Sequence, residues 1–190
     1  MPSAAVVLRP RSADDVPALV RLLEAPRAAT GYPVRWPLPF PVEDFVVRRG
    51  EIGAWVAVDG DDVVGHVSLA EVAAGWEADA WVAGTGRPAA ELAAVSVLFV
   101  DPAASGRGVG SALLSAAVDH ARSLGRTPVL DVVSESHRAV SLYERHGLRV
   151  VGRARPPWLP DDRAPLLLMA LPDRVVGPSV TEPDPGGRRR

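Results

Sequence analysis

The sequence predicts an α/β (α+β) fold, and three observations along the chain indicate it. Two apolar runs, residues 52–58 and 63–70, flank the turn Asp59-Gly60-Asp61-Asp62, which is typical of an antiparallel hairpin. A strand at about residues 92–100 passes through a glycine-rich turn into a helix with one apolar stripe. Residues 128–151 then repeat the order strand, helix, strand. A chain of 190 residues fits one domain of the usual ~100–200 residues.

The N-terminal part begins with a strand at residues 6–9 and continues with a helix. Ser12 and Asp15 have the spacing of a helix cap. Helical spacing then follows in the apolar residues Val16, Leu19, Val20 and Leu23. Prolines alternate with aromatic residues from Pro26 to Pro41, which predicts a stiff loop with large apolar surfaces, and a short helix is expected at residues 42–49.

Residues 72–89 hold three glycines, one proline and two tryptophans, and they are predicted to form an irregular insertion. The helix after the glycine-rich turn is expected to end at Gly125. Ser136 is placed to cap the next helix, and the last strands are expected at residues 150–151 and 166–171. The chain therefore divides into a domain at residues 1–171 and a tail at residues 172–190 whose composition predicts disorder.

The composition excludes several classes of function. There is no cysteine, so disulfides, thiolate catalysis and cysteine zinc sites are ruled out. The four histidines lack the spacing of a helical metal site, and no metal is expected. A net charge of −2 gives no support to a nucleic-acid surface. No apolar run approaches the ~20 residues of a membrane span and the N-terminus does not resemble a secretory signal, so we predict a cytoplasmic protein without membrane or nucleic-acid partners.

The glycine-rich turn at residues 105–111 is suited to hold an anion. Its three glycines let the backbone approach a phosphate closely, and the helix that follows offers unpaired N–H groups. A nucleotide-hydrolase P-loop is excluded because it needs a lysine, and all 21 basic residues are Arg. A dinucleotide-binding fingerprint is excluded because the turn lies past mid-chain and has the spacing G-x-G-x-G. The ligand is therefore expected to be another phosphorylated cofactor.

This turn resembles the central motif of the GCN5-related N-acetyltransferase (GNAT) family, Q/R-x-x-G-x-G/A, at Ser105-Gly106-Arg107-Gly108-Val109-Gly110. Ser105 stands where the family usually has Arg or Gln. A second block resembles the family's Asn, Leu-Tyr-Glu and Gly-Phe pattern, at Ser136, Leu142-Tyr143-Glu144 and Gly147-Leu148. Ser136 replaces the usual Asn and Leu148 the usual Phe. The order of strands and helices agrees with the family from about Val6 to Leu171.

The resemblance implies the GNAT fold, a mixed and mostly antiparallel central sheet of about six to seven strands with helices on both faces. It also implies acetyl-CoA as cosubstrate. Pantetheine is a chain of amides, so it can pair with residues 98–100 like an added strand while the pyrophosphate rests on the N–H groups of residues 107–111. The cofactor-binding residues expected on this basis are Leu98, Phe99, Val100, Ser105, Gly106, Arg107, Gly108, Val109, Gly110, Ser111 and Ser136.

Tyr143 stands where the family has its catalytic tyrosine. Its phenol, with a reference pKa of ~10 against ~8.5 for a thiol, stays protonated at neutral pH and can donate to the departing thiolate. The alternative is a tyrosine that only packs on a helix face. The resemblance further implies that the backbone N–H of Val100 or its neighbour meets the oxyanion.

The general base stays open at this point. Many relatives carry a Glu eight residues before the strand-ending proline, and that position is Ala94 here. Glu91 lies three residues away, an odd offset that aims its side chain at the opposite face of the strand. Ser96 shares the face of Ala94 and is an option for holding a relay water. The other options are Glu71, Glu77 and Asp79.

The predicted function is transfer of acetyl from acetyl-CoA to a primary amine of a small molecule by direct attack. Two alternatives stay open: an acyl-CoA-binding sensor without turnover, which the residues at positions 94, 105 and 136 motivate, and a protein or peptide N-acetyltransferase. The resemblance also suggests a homodimer, because family members often form dimers. Aromatic residues expected either to line the acceptor side or to pack the loops are Tyr32, Trp36, Phe40 and Trp158.

Overall fold

The computed structural model describes residues 5–172, which contain one seven-stranded sheet. The strand order is β1-β2-β3-β4-β5-β7-β6, and neighbouring strands are antiparallel except for the parallel pair β4 and β5. The predicted mixed, mostly antiparallel sheet is therefore confirmed. The strands are β1 (Val7–Pro10), β2 (Glu51–Asp59), β3 (Asp62–Glu71), β4 (Leu92–Val100), β5 (Thr127–Val132), β6 (Arg149–Ala154) and β7 (Leu166–Ala170).

Six α-helices lie within the described residues: α1 (Val16–Glu24), α2 (Arg27–Thr30), α3 (Val42–Val46), α4 (Trp76–Thr85), α5 (Val109–Ser123) and α6 (His137–Arg145). Between residues 5 and 172, none of them combines the length and the apolar character that crossing a bilayer requires. The helix expected at residues 42–49 is shorter than predicted, and one helical turn forms inside the proline-rich loop. Most of the expected tail, residues 173–190, lies outside the described part of the chain.

Helices cover both faces of the sheet, as the resemblance implies. Successive residues of a strand point to opposite faces, and β5 shows this clearly. Val129 belongs to an apolar cluster with Trp81 of α4, whereas Leu130 belongs to the cluster that contains the buried faces of α5 and α6. In the same way Val56 of β2 clusters with α1 and α3. The helices α5 and α6 therefore lie on one face, and α1, α3 and α4 on the other.

The expectation of an irregular insertion at residues 72–89 was wrong, because this segment contains α4. Apolar residues occur all around this helix rather than on one stripe, so its sequence lacks the amphipathic period that identifies a helix. Gly86 ends the helix with a left-handed φ of +70°. Gly84 lies inside it, where a Cβ would come within 2.6 Å of the Val151 carbonyl oxygen of β6. Gly84 therefore permits close packing of α4 against β6, although a glycine at this position in the sequence is typical of a helix break.

The turn between β1 and α1 is held by Asp15, which sequence reasoning expected at a helix cap. The Arg9 guanidinium donates two hydrogen bonds of 2.7 Å to the Asp15 carboxylate, and the Ser12 backbone N–H donates a third at 2.7 Å. Asp15 itself is buried. The hydrogen bond from Arg9 is the main reason why the pKa of Asp15 lies far below its usual range.

We expect Asp15→Asn to destabilise the fold by about 1–2 kcal/mol at pH 7, because it removes a carboxylate that accepts charge-assisted hydrogen bonds. A lowered pKa means that this contribution is present above the unfolded-state value of ~3.9 and is lost as the pH falls below it. Urea unfolding of both proteins at pH 7 and near pH 3 measures the difference. The neighbouring Asp14→Asn is the control because Asp14 is exposed. An Asp15 effect that does not shrink on acidification would contradict this prediction.

Candidate functional site

The parallel strands β4 and β5 pair only at their beginnings. Their register pairs are Leu92 with Thr127, Ala93 with Pro128, and Ala94 with Val129. Beyond these pairs β4 continues to Val100 and β5 to Val132, so the two strands diverge. The edge of β4 that faces β5 is therefore left without strand pairing after Ala94. The resulting gap opens the middle of the sheet.

An irregularity in β4 marks the start of this gap. Val97 has a left-handed φ of +52°, and the pairing with β3 shifts register between Ser96 and Phe99. A β-branched residue in this conformation is strained and needs support from its surroundings. The support comes from His66 of β3, which is fully buried and lies with its Nδ1 3.0 Å from the Val97 carbonyl oxygen.

The protonation of His66 follows from its neighbours. Burial lowers the pKa of His66 to about 4, so the ring is neutral at pH 7. The Arg11 guanidinium, 3.2 Å from Nε2, has only protons to donate. Nε2 therefore accepts from Arg11, and Nδ1 donates to the Val97 carbonyl. A hydrogen bond of 2.6 Å from Arg11 to Glu51 completes the chain of contacts that fixes the irregularity in β4.

The glycine-rich turn follows the end of β4. Gly106 and Gly108 have φ values of +81° and +82°, and a Cβ at either position would meet no atom within 4 Å. The first backbone hydrogen bond of α5 runs from the Ala112 N–H to the Gly108 carbonyl, at 3.0 Å. The N–H groups of residues 109–111 therefore have no acceptor within the helix. They lie at the positive end of a helix of 15 residues.

A cleft of about 960 Å³, which we call the glycine cleft, brings together the end of β4, this turn and the start of α6. Its lining includes ten of the eleven expected cofactor-binding residues: Leu98, Phe99, Val100, Ser105, Gly106, Gly108, Val109, Gly110, Ser111 and Ser136. The N-terminus of α5 opens into the same cleft. The cleft thus joins an unpaired strand edge to the positive end of α5.

Arg107 and Ser136, two of the eleven expected cofactor-binding residues, differ in their contacts from the sequence-based expectation. Arg107 does not line the glycine cleft; its guanidinium donates a 2.6 Å hydrogen bond to Asp59 at the tip of the β2–β3 hairpin. Ser136 lies at the cap position of α6, but its side chain makes no capping hydrogen bond. Its φ and ψ of −79° and +62° turn the chain into the helix without that bond.

A second cavity of about 350 Å³, the inner cavity, meets the glycine cleft. The residues that line both are Thr30, Tyr32, Leu98, Ser136, Ala139 and Tyr143. Three of the four aromatic residues expected on the acceptor side line the inner cavity, namely Tyr32, Phe40 and Trp158. The fourth, Trp36, packs elsewhere, with the Arg27 guanidinium 5.0 Å from its ring centre.

Tyr143 lies at the junction of the glycine cleft and the inner cavity. Its side chain is only 8% exposed, and none of the residues described between 5 and 172 hydrogen-bonds its hydroxyl. Burial raises the pKa of Tyr143, and the negative charge of Asp131 raises it further. The phenol therefore stays protonated through neutral and moderately alkaline pH. A protonated, unpartnered O–H group at this point is suited to proton donation.

Two carboxyl groups line the inner cavity, and sequence reasoning singled out only one of them. Glu77, at the start of α4, was among the options for a base, whereas Asp131 of β5 was not. Desolvation by the surrounding protein raises the pKa of both groups, and the positive charge of Arg48 opposes the increase. The signal for Asp131 was a single charge within the apolar run Pro128–Val133.

The remaining options for a base are engaged or lie elsewhere. The Ser96 hydroxyl is 2.9 Å from the Ser68 hydroxyl. Glu71 and Glu91 form ion pairs with Arg126 and Arg87, at 3.1 and 3.0 Å. Asp79 is exposed and lines none of the cavities described above. Among residues 5–172, no group of three His, Asp or Glu side chains is arranged to hold a metal ion.

A third space of about 610 Å³, the outer cavity, shares six lining residues with the inner cavity: Phe40, Arg48, Glu77, Val95, Ser96 and Asp131. The three spaces therefore form a continuous series that passes the gap between β4 and β5. A thioester in the glycine cleft and a nucleophile in the inner cavity would meet beside Tyr143. This arrangement suits transfer of a group between two ligands without a covalent protein intermediate.

Comparison with solved structures identifies the same architecture in other proteins. A GCN5-related N-acetyltransferase from Kribbella flavida is 25% identical, with a TM-score of 0.66, and the match covers 88% of this chain and 98% of that one. The ribosomal-protein-S18-alanine N-acetyltransferase of Escherichia coli is 18% identical, with a TM-score of 0.65 over 93% of this chain and 99% of that one. Arabidopsis thaliana NAA60 in complex with acetyl-CoA is 21% identical, with a TM-score of 0.64 over 87% of this chain and 97% of that one.

Sequence comparison agrees with the structural one. The mycothiol acetyltransferase of Propionibacterium freudenreichii is 48% identical over 67 residues, which are 35% of this chain and 20% of that protein. The chain thus matches about a fifth of the length of this curated relative, and 26% of the length of a second one from Methanocaldococcus jannaschii. The model of the acetyltransferase (GNAT) family matches residues 19–148, about two thirds of the chain. The protein therefore belongs to the GNAT acetyltransferase family.

Proposed function

We propose that the protein transfers an acetyl group from acetyl-CoA to a primary amine of a small molecule. The observation that carries this proposal is the junction of the glycine cleft and the inner cavity at Tyr143. Membership of the GNAT family supports the reaction type. The acetyl-CoA in the complex of the Arabidopsis protein, which has the same fold, supports the donor.

The residues of the glycine cleft fit the donor. The unpaired edge of β4 at Leu98, Phe99 and Val100 offers backbone groups to the amides of pantetheine. The open space beside Gly106 and Gly108 leaves room for the pyrophosphate on the N–H groups of residues 109–111. We propose Ser105, Gly106, Gly108, Val109, Gly110, Ser111 and Ser136 as the rest of the donor site; Arg107 would support the turn through Asp59.

A few groups of the chain would each contribute to one step of the acetyl transfer. The amine nitrogen forms a bond to the thioester carbonyl carbon, and the carbon–sulfur bond then breaks. The backbone N–H of Val100 or its neighbour would stabilise the oxyanion between these steps. Tyr143 would donate its proton to the thiolate that leaves. No covalent link to the protein is needed at any step.

The inner cavity supports a small amine as acceptor. Its volume of about 350 Å³ lies within the range of small-molecule sites. Aromatic rings of Tyr32, Phe40 and Trp158 offer contact to an apolar or cationic group. The carboxyl groups of Asp131 and Glu77 offer a place for a positively charged amine, and Arg35 and Arg48 line the same cavity. We extend the proposal to a cytoplasmic location, in line with the sequence-based expectation.

A protein or peptide acceptor is the second candidate. The outer cavity favours it, because about 610 Å³ of further space continues from the inner cavity and would admit the rest of a chain terminus. A sensor without turnover is the third, supported by Ala94, Ser105 and Ser136 at positions where the family usually differs.

Two measurements, CoA release and calorimetric CoA binding, separate the three candidates. The full chain is incubated with acetyl-CoA and either a panel of primary amines or a panel of N-terminal peptides, and free CoA is measured with a thiol reagent. Because the protein has no cysteine, the reagent reports only the released CoA. Turnover with small amines is expected. Turnover with peptides alone would replace the small-molecule proposal, and CoA binding without turnover on both panels would favour the sensor.

Replacing Ser105 by Arg is expected to tighten CoA binding by about threefold to tenfold, because it adds a charge-assisted hydrogen bond to a phosphate at an exposed position. Calorimetric titration of both proteins with CoA measures the change. Ser123→Arg adds the same charge at the far end of α5 and controls for general attraction. Unchanged affinity in Ser105→Arg, or an equal gain in Ser123→Arg, would contradict a missing phosphate contact.

A further inference from the structure

We infer that Asp131 of β5 accepts the proton of the attacking amine. This inference rests on the proposed function and names a residue for the step that it leaves open. An alkylammonium has a reference pKa of ~10.4, so only about one molecule in 2,500 is neutral at pH 7 and a proton acceptor is needed. Ala94, the last residue of β4 that pairs with β5, has no group that accepts a proton.

The strand register places Asp131 on the face where a side chain at position 94 projects. Ala94 pairs with Val129 in the parallel ladder, and residues two apart on a strand share a face. Asp131 therefore lies on the face of Val129 and Ala94, one strand away from Ala94. The pairing with β7 agrees, because Asp131 is opposite Leu168, which clusters with Val129 and α4.

The surroundings of Asp131 make its carboxylate available to a ligand. It lines both the inner and the outer cavity, its side chain is exposed to them, and no residue described between 5 and 172 forms an ion pair with it. Glu77 of α4, Arg48 after α3, Tyr32 of the loop before α3 and Tyr143 of α6 are charged or titratable groups around it. Arg35 also lines the inner cavity, and Asp44, Arg49 and Glu71 also line the outer cavity. An amine beside Asp131 would thus lie between this carboxylate and the junction.

Asp131 fits the role better than Glu77, the other carboxyl group in the cavity. Asp131 lies on β5, two residues beyond the last pair with β4 and therefore at the edge of the gap, whereas Glu77 lies on α4, which covers a face of the sheet. The negative charge of Asp131 also raises the pKa of Tyr143 and of Tyr32, the two phenols at the junction. Desolvation also raises the pKa of Asp131 above its ordinary value, which makes it a stronger proton acceptor than a fully hydrated aspartate.

The proton balance of the step is complete. One proton moves from the ammonium nitrogen to the Asp131 carboxylate, which leaves a neutral amine and a carboxylic acid. The nitrogen lone pair then forms the bond to the carbonyl carbon, and the carbon–sulfur bond breaks. The second proton lost from nitrogen balances the proton that Tyr143 gives to sulfur. Asp131 returns its proton to water in the outer cavity, so the reaction releases one proton.

The test uses the full chain and two acceptors of nearly equal shape, 2-phenylethylamine and its less basic 2,2-difluoro analogue. For Asp131→Asn we expect kcat/KM to fall about 10²–10⁴-fold with phenylethylamine. The decrease should be much smaller with the difluoro amine, because this amine is largely neutral in solution and needs no proton acceptor on the protein. Asp131→Glu is expected to recover part of the activity. Asp79→Asn removes a charge from the exposed side of α4 and is the control that should leave both rates unchanged.

Each outcome decides between the hypotheses. If the wild type acetylates neither these amines nor the wider panel, the proposed function fails and the inference fails with it. If the wild type is active and Asp131→Asn loses equally with both amines, or loses nothing, only the inference fails. Glu77→Gln showing the selective loss instead would assign the proton acceptor to Glu77 and overturn the assignment to Asp131. CoA titration verifies that each variant is folded.

The wild-type pH profile gives a second test that needs no variant. With a proton acceptor in the cavity, kcat/KM for phenylethylamine should level off well below the pKa of the free amine. A rise of tenfold per pH unit that continues to that pKa would show that only free amine reacts. Such a profile would overturn the role of Asp131 even if the variants failed to fold.

Discussion

Tyr143→Phe is expected to lower kcat by about 10²–10⁴-fold, the usual effect of losing an acid catalyst, with little change in the affinity for CoA. The reason is that the phenol lies at the junction of the glycine cleft and the inner cavity with no hydrogen-bond partner among residues 5–172. Its ring fills buried space that phenylalanine fills equally well. Only the proton for the departing thiolate is removed.

The measurement is the rate of CoA release at saturating amine, together with calorimetric titration by CoA. Tyr32→Phe is the matched comparison, since Tyr32 is the other tyrosine in the chain and lines the same junction. Tyr32 packs its ring against Phe45 and Phe99, at centroid distances of 6.1 and 6.3 Å, so the loss of its hydroxyl is expected to matter far less. Normal turnover in Tyr143→Phe with a large loss in Tyr32→Phe would transfer the role to Tyr32.

Gly108→Val is expected to weaken CoA binding by about tenfold to a hundredfold. Gly108 has a φ of +82°, where a β-branched residue is strained by ~1–3 kcal/mol. Without a ligand the exposed turn can relax, so binding must restore the strained conformation and its cost reduces the affinity by tenfold for every ~1.4 kcal/mol. Calorimetric titration with CoA measures the difference.

The control is Gly125→Val at the other end of α5. Gly125 also has a left-handed φ, of +69°, and its Cβ would likewise meet no atom within 4 Å, but it lines neither the glycine cleft nor the inner cavity. This variant should lose stability and keep its CoA affinity. Equal affinities in wild type and Gly108→Val would show that the turn does not hold the donor.

The parts of the site that sequence reasoning located are carried by local motifs. The glycine-rich turn joins a strand and a helix within a few residues, and its glycines adopt the left-handed backbone that such a turn requires. Tyr143 belongs to the Leu-Tyr-Glu motif, and the local helical pattern around this motif predicts its place on α6. The hairpin around Gly60 follows from a short-range turn signal, and the mixed, mostly antiparallel sheet of about six to seven strands was implied by the family resemblance.

The rest depends on contacts between segments far apart in the chain. Asp131 can be placed beside the gap only once β5 is aligned with β4. Ala94, which lies on the same face of the sheet, is 37 positions earlier in the chain. The ion pair of Arg107 with Asp59 could not be predicted from the glycine-rich turn alone, because Asp59 lies on a hairpin far away in the chain. The helix α4 was missed because glycine at position 84 serves close packing against β6, which no local pattern reveals.

Calorimetric titration of the wild-type protein with CoA and with pantetheine tests the central claim most directly, since pantetheine lacks the pyrophosphate that the glycine turn would hold. Saturable binding of one CoA per chain, with pantetheine bound much more weakly, is the predicted result. No heat of CoA binding, or equal affinity for both compounds, would contradict the account.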